Sequence, residues 1–225
     1  MNLAKVLSRL QIRITKIIHK LFYVSLLWKM TSPASQSILD VGCGKGSSIV
    51  RQIRNKTKGQ YVIGCDVFPQ YVKESRQSGL YNDCILAEAC HLPFNPRSFE
   101  LIFCLEVIEH LTKSEGEKLL QSLEGLSSKK VALSTPVGFM YQSEYENNPY
   151  QIHKSAWFPS DFRNKGYKVA GMIGPFFIRK KNKYSIVDKY IVSLAEIASF
   201  LLQPLFYLIP DISFQMICVK KADRI

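Results

Sequence analysis

The sequence predicts an α/β domain built on a seven-stranded, mostly parallel sheet with helices on both faces. Three observations carry that expectation. Short β-rich runs alternate with helix-like stretches from Ser37 onward, a glycine-rich turn follows the first run, and an acid stands at the end of each of the first two. The 225 residues, 47% of them hydrophobic, are enough for one sizeable core, and they exclude disordered, collagen-like and tandem-repeat chains.

Residues 1–30 read as a basic amphipathic helix. Leu3, Leu7, Leu10, Ile14, Ile17, Leu21, Val24 and Trp28 recur at spacings of four and three, and Lys5, Arg9, Arg13, Lys16 and Lys20 lie off that stripe. Two roles stay open: a helix packed on the domain, or an anchor lying on a membrane surface. Charges dispersed through the segment, with no small-residue cleavage site before Ile38, argue against a secretory signal; a mitochondrial presequence stays open.

Residues 31–225 read as a single domain. Its expected strands are Ser37–Val41, Tyr61–Cys65, Cys84–Ala87, Phe99–Leu105, Lys130–Ser134, Lys168–Ile173 and Ser213–Val219. Before the last of them, about residues 182–210 form an apolar helical insertion. Its longest uncharged run, Ile197–Pro210, is 14 residues. A spanning helix needs about 20, so lying in the membrane interface is the most this segment supports.

The net charge is +12, of which six units fall in residues 1–30 and seven in residues 163–189, so the middle of the chain is nearly neutral. That placement points to a docking surface, such as peripheral contact with an anionic membrane, and away from a basic groove around the site. Six cysteines without a C-x-x-C pair suggest neither a disulfide framework nor a zinc cage and fit a reducing, cytoplasmic compartment.

The chemistry begins at Ile38-Leu39-Asp40-Val41-Gly42-Cys43-Gly44-Lys45-Gly46, which puts glycines at alternate positions between a strand and a helix. Residues without side chains let a ligand lie against the backbone at the carboxyl edge of the sheet. Twenty residues past Gly46, Asp66 ends the second strand, where a carboxylate can accept both hydroxyls of a ribose. A nicotinamide dinucleotide site competes on these grounds, but the spacing is G-x-G-x-G and not G-x-G-x-x-G.

Over residues 36–175 and 213–221 the chain resembles the class I S-adenosylmethionine-dependent methyltransferases, whose sheet is Rossmann-like. The resemblance implies S-adenosylmethionine as cofactor, with Asp40, Gly42, Cys43 and Gly44 near its methionine end and Asp66 on its ribose. Ala87-Glu88-Ala89-Cys90-His91-Leu92-Pro93-Phe94 is similar to the segment that binds the adenine amino group, which implies roles for Glu88 and Ala89; the family usually has Asp where Glu88 stands. Phe99-Glu100-Leu101-Ile102-Phe103-Cys104-Leu105-Glu106-Val107-Ile108-Glu109-His110-Leu111 resembles the fourth strand and its loop, which implies Leu105 beside the cofactor and the acceptor beyond it.

For the acceptor, the Asn/Asp-Pro-Pro-aromatic motif of enzymes that methylate base amines is missing, since its place holds Cys104-Leu105-Glu106-Val107. Asn147-Asn148-Pro149-Tyr150 lacks the second proline and lies after the fifth strand. Glu106, Glu109 and His110, at i, i+3 and i+4, share one face of a helix. This E-x-x-E-H run is similar to the metal site of ubiquinone-biosynthesis O-methyltransferases and of small-RNA 3′-terminal 2′-O-methyltransferases. The latter add a histidine after the fifth strand, where His153 stands. The resemblance implies Mg2+ held by Glu106, Glu109, His110 and His153; His110 or His153 as a general base, or as a capped structural residue, is the competing reading.

The preferred expectation is O-methylation of a small or lipid-linked acceptor, of the quinone-precursor or glycan type. An RNA ribose 2′-O-methyltransferase is the alternative, and a non-catalytic methyltransferase-fold scaffold the third. Tyr141, Tyr145, Tyr150, Trp157 and Phe158 form an aromatic-rich insertion that either covers the acceptor or packs beneath its own loop.

Overall fold

A computed structural model describes residues 23–31, 35–56, 59–172 and 202–222. In chain order these form helix α1 (residues 23–31), β1 (Ser37–Val41), α2 (Ser48–Lys56), β2 (Tyr61–Asp66), α3 (Pro69–Gln77), β3 (Asp83–Leu86), β4 (Phe99–Leu105), α4 (Lys113–Leu126), β5 (Ser127–Pro136), α5 (Pro159–Arg163), β6 (Lys168–Met172), α6 (Gln203–Leu208) and β7 (Gln215–Lys221). The strands make one seven-stranded sheet in the order β3-β2-β1-β4-β5-β7-β6. β1 to β5 run parallel, and β7 is antiparallel to both β5 and β6.

Strand order reverses beside β1, because β1 pairs with β2 on one side and β4 on the other. Ligands of doubly wound sheets bind at the carboxyl ends of the strands flanking such a point. The apolar runs of β1 and β4 bury both faces. Leu39, Val41, Ile102 and Cys104 join one core with Leu119, Leu120 and Leu123 of α4 and Phe162 of α5; Ile38, Leu101 and Phe103 join the other with Ile49 and Ile53 of α2. This is the helix-on-both-faces architecture the alternation predicts.

α1 belongs to the second core. Val24, Leu26 and Leu27 are buried against Ile38, Ile49 and Phe103, and Lys130 of β5 donates to the Thr31 carbonyl at 2.6 Å. Residues 23–31 therefore take the packed role that the amphipathic stripe left open. The stripe from Leu3 to Leu21 lies outside the described residues, as does most of the stretch at 182–210.

Observed strand ends depart from expectation by a few residues. β5 runs from Ser127 to Pro136, longer than the apolar run, because Ser127 pairs with Phe99 of β4 at one end and Thr135 and Pro136 pair with β7 at the other. β7 starts at Gln215 and not Ser213, since the short 3-10 turn Pro210–Ile212 directs the chain there. Thr112 and Glu115 form a reciprocal capping box that starts α4 just past the Glu/His turn.

Candidate active site

The glycine-rich turn is fixed by the strand beside it. The N–H groups of Gly42 and Cys43 both donate to the Cys65 carbonyl, at 2.8 and 2.9 Å. Gly42 has φ +70°, and a Cβ there would lie 2.2 Å from Cγ2 of Val107, so side-chain and backbone constraints both demand glycine. The Gly44 N–H donates to Asp66 Oδ2 and the Phe68 N–H to Oδ1, each at 2.9 Å, which holds that carboxylate at the end of β2 with lone pairs to spare.

Asp40 is buried, and the Tyr81 hydroxyl donates to its Oδ2 at 2.7 Å. Burial pushes the Asp40 carboxyl up to about 7 and raises that of Asp66. A cavity of 340 Å3 is lined by Tyr23, Asp40, Gly42, Cys43, Leu105 and Glu106 among others. A neighbouring cavity of 380 Å3 holds Gly42, Asp66, Glu88, Ala89 and His110. Glu88 is exposed and approaches His91 at 3.3 Å. Gly44 acts through its N–H on Asp66.

The E-x-x-E-H residues do not share a helix face, contrary to expectation. Glu106, just past the end of β4, takes a left-handed conformation, φ +57°, and the helical geometry that follows is a single 3-10 turn, Ile108–His110. The four side chains nonetheless reach one cavity of 390 Å3, with Gln142, Gln151 and Gln215 also on its walls. Glu106 Oε1 accepts from the Ser134 hydroxyl at 2.6 Å, and Ser134 Oγ lies 2.9 Å from the Tyr23 hydroxyl. Because the Ser134 proton goes to the carboxylate, Tyr23 is the donor to Ser134.

Glu109 is buried, and Oε2 accepts from Thr135 Oγ1 at 3.0 Å. His110 and His153 stack edge-on with ring centroids 4.8 Å apart. Nδ1 of His110 lies 3.3 Å from the Ile152 carbonyl, and Nδ1 of His153 lies 2.6 Å from that of Met140. A carbonyl only accepts, so each Nδ1 carries the proton and each Nε2 keeps a lone pair. Ligand atoms of Glu109, His110 and His153 all lie within 4.8 Å of one another, and Glu106 borders the same cavity outside that triplet.

Residues 38–128 match the family described as methyltransferase domain. That stretch, β1 through α4, is a methyltransferase domain. An uncharacterized protein of Methanocaldococcus jannaschii is 25% identical over 153 residues, 68% of this chain and 64% of that protein. An O-methyltransferase of Aspergillus sclerotiorum is 35% identical over 91 residues, 37% of this chain and 33% of its own. A small RNA 2′-O-methyltransferase of Arabidopsis thaliana is 28% identical over 118 residues, 46% and 12% respectively. The chain thus spans less than two thirds of each of these curated relatives.

Among solved structures, a SAM-dependent methyltransferase from Archaeoglobus fulgidus superposes with a TM-score of 0.58 at 14% identity, covering 90% of this chain and 94% of that one. Magnesium protoporphyrin IX methyltransferase from Synechocystis, solved with bound SAM, gives 0.54 at 16% identity, covering 99% and 85%. At such identities the likeness concerns the fold.

The groups around the histidine cavity have an unusual charge state. Burial and the facing His153 push His110 down to about 4, and burial lowers His153. Burial, then Glu106, raises Glu109 well above the carboxylate range. Two imidazole lone pairs and the Glu109 carboxyl thus converge, with Glu106 on the same cavity, a mixed nitrogen and oxygen donor set of the kind that holds a divalent ion.

The aromatic insertion divides. Trp157 is buried over α4, where a Cβ on Gly116 would lie 2.4 Å from its ring, whereas Tyr141, Tyr145, Tyr150 and Phe158 are exposed. Tyr150 and Gln151 border the 380 Å3 cavity, and Lys45 of the glycine-rich turn pairs with Glu146 at 2.7 Å, tying the insertion to that turn. Tyr23, Tyr81, Ser134 and Thr135 are the site residues that sequence reading missed. The hydroxyls of Ser134 and Thr135 at the end of β5 were a usable signal; Tyr23, one place before a stripe residue, gave none.

Proposed function

We propose that the protein transfers the methyl group of S-adenosylmethionine to a hydroxyl of a small or lipid-linked acceptor. One observation carries this reading. The cavities that hold the glycine-rich turn, Asp66 and Glu88 adjoin the cavity of the two histidines, with Gly42, Glu106 and His110 as shared walls. A donor bound along the first two would meet an acceptor bound in the third.

In this reading the Gly42–Gly44 backbone and Asp40 hold the amino-acid end of the cofactor, Asp66 accepts from its ribose hydroxyls, and Glu88 and Ala89 border its adenine. Methyl transfer from a sulfonium is an in-line displacement, so these contacts contribute mainly by alignment. Nε2 of His110 or His153, neutral at physiological pH, can take the acceptor proton. Glu106, Glu109, His110 and His153 would hold Mg2+, which acidifies a bound hydroxyl. Turnover with and without EDTA separates the two roles of the histidines: unchanged turnover leaves the base role alone.

A lipid-linked acceptor is supported by the exposed Leu205, Leu208, Ile209 and Ile212, from which the chain runs into Phe214 and Gln215 on the wall of the histidine cavity. No helix among the described residues is long and apolar enough to cross a membrane, so contact would be peripheral. Flotation with anionic liposomes tests it; protein that stays at the bottom of the gradient contradicts it.

A second reading is the ribose of RNA. It is favoured by the Arabidopsis relative and by the exposed Tyr141, Tyr145 and Tyr150, whose rings can stack on bases. A terminal ribose offers two adjacent hydroxyls to the same donor set. Salt-sensitive binding to short RNA without binding to liposomes would favour it over the first.

A further inference from the structure

We propose that Tyr81 is a positioning residue of the cofactor site: its hydroxyl ties Asp40 to the backbone at Ser47 and so holds both ends of the glycine-rich turn in the binding conformation. This rests on the reading of that turn as the S-adenosylmethionine site.

Tyr81 sits in the loop before β3, far from the turn in sequence. Its single oxygen donates to Asp40 Oδ2 at 2.7 Å and accepts the Ser47 N–H at 2.9 Å. A phenol suits this double duty, since it has one proton to give and lone pairs to receive. The clamped residues bracket the turn, and Asp40, Gly42, Cys43 and Ser47 all line the 340 Å3 cavity. The ring reaches them by lying against Gly64 of β2, where a Cβ would come within 3.1 Å of two ring carbons. β2 is otherwise filled by larger residues, so the glycine makes room for the clamp.

The charge on Asp40 is what the clamp adjusts. The groups facing this buried carboxylate are Asp66 at the end of β2, the Tyr81 and Tyr23 hydroxyls, and the thiols of Cys43, Cys65, Cys84 and Cys104, each acidic or neutral. Hydrogen bonds from Tyr81 and Ser47 favour its ionised form, against burial and Asp66. The ammonium of the cofactor's amino-acid end is the natural countercharge. Binding therefore strengthens as pH rises through about 7, where Asp40 ionises.

Calorimetric titration with S-adenosylhomocysteine between pH 5.5 and 8.5 tests the clamp without any acceptor. Tyr81→Phe is expected to bind about tenfold more weakly at pH 7.5, with the rise in affinity displaced to higher pH. Wild-type affinity and an unshifted profile in Tyr81→Phe overturn the proposal. Asp40→Asn keeps an acceptor for Tyr81 and serves if Tyr81→Phe does not fold: its affinity becomes flat across the range, and a profile that still rises like the wild type's overturns the proposal. Absence of binding by the wild-type protein overturns the cofactor reading itself and the clamp with it, a result distinct from the other two.

Discussion

Ser134 donates a 2.6 Å hydrogen bond to Glu106 across the paired ends of β5 and β4. Tyr23, from a helix more than a hundred residues away, donates in turn to Ser134. The relay fixes a carboxylate whose backbone is held in the left-handed region, an arrangement that costs about 1 to 3 kcal/mol and persists where surroundings enforce it. Groups that orient a metal ligand typically change affinity 10- to 100-fold when removed. Ser134→Ala should therefore weaken Mn2+ binding about tenfold, and Glu109→Gln or His153→Ala should abolish it. Free Mn2+ measured by electron paramagnetic resonance checks this; equal binding by all four proteins removes the metal reading.

The two central glycines should differ in stability. At Gly42 an added methyl collides with Val107, whereas at Gly44 no atom lies within 4 Å and the cost reduces to a left-handed alanine, about 1 to 2 kcal/mol. Gly42→Ala should lower the urea midpoint clearly more than Gly44→Ala. Equal losses would contradict the packing described at the turn.

Stability should also depend on pH in a way that names its residues. Asp40 is raised from 3.8 to about 7, so the folded protein holds that proton more tightly than the unfolded chain. The stabilisation is complete below about pH 4 and is lost as pH rises through 7. His110 has the opposite sign: lowered from 6.5 to about 4, it contributes fully above pH 6.5 and loses that contribution as pH falls through 4. Asp40→Asn, always neutral, should match the wild-type Tm near pH 4 and exceed it increasingly up to pH 8. A constant difference across that range would show that Asp40 is not the group responsible.

α1 should behave as part of the domain. Leu27 is fully buried among Ile38, Ile49 and Phe103. Truncating such a side chain costs about 2 to 5 kcal/mol. Chemical denaturation of Leu27→Ala should show a loss of that size, and a loss under 1 kcal/mol would mean that the helix does not dock as described.

The sheet was legible because parallel strands buried on both faces must be continuous apolar runs, as in Leu101–Leu105, and because glycine and acid punctuate their ends. The grouping of Gly42, Asp66 and Glu88 around one cavity was legible for the same reason: each is placed by a strand end near it in sequence. The convergence of Glu106, Glu109, His110 and His153 was read from residue types, but on the wrong geometry. A helix face was expected, and a left-handed Glu106 followed by one 3-10 turn does the work. Tyr23 and Tyr81 were invisible because each acts across a tertiary contact, through a hydroxyl whose partner is set by packing and not by spacing. Strand ends at β5 and β7 were misjudged since pairing with neighbouring strands, β4 and β7 for β5 and β5 for β7, and not apolarity, sets their length.

Methyl transfer from S-adenosylmethionine to a hydroxyl is the activity proposed for this chain. The most direct measurement is incubation of the purified protein with methyl-labelled S-adenosylmethionine and a cell extract, followed by separation into lipid, glycan, RNA and protein fractions. Base-stable label is expected in the lipid or glycan fraction, dependent on the protein and lost in Asp66→Ala. Label in none of the fractions, from a protein that binds S-adenosylhomocysteine, or label confined to protein, would contradict it.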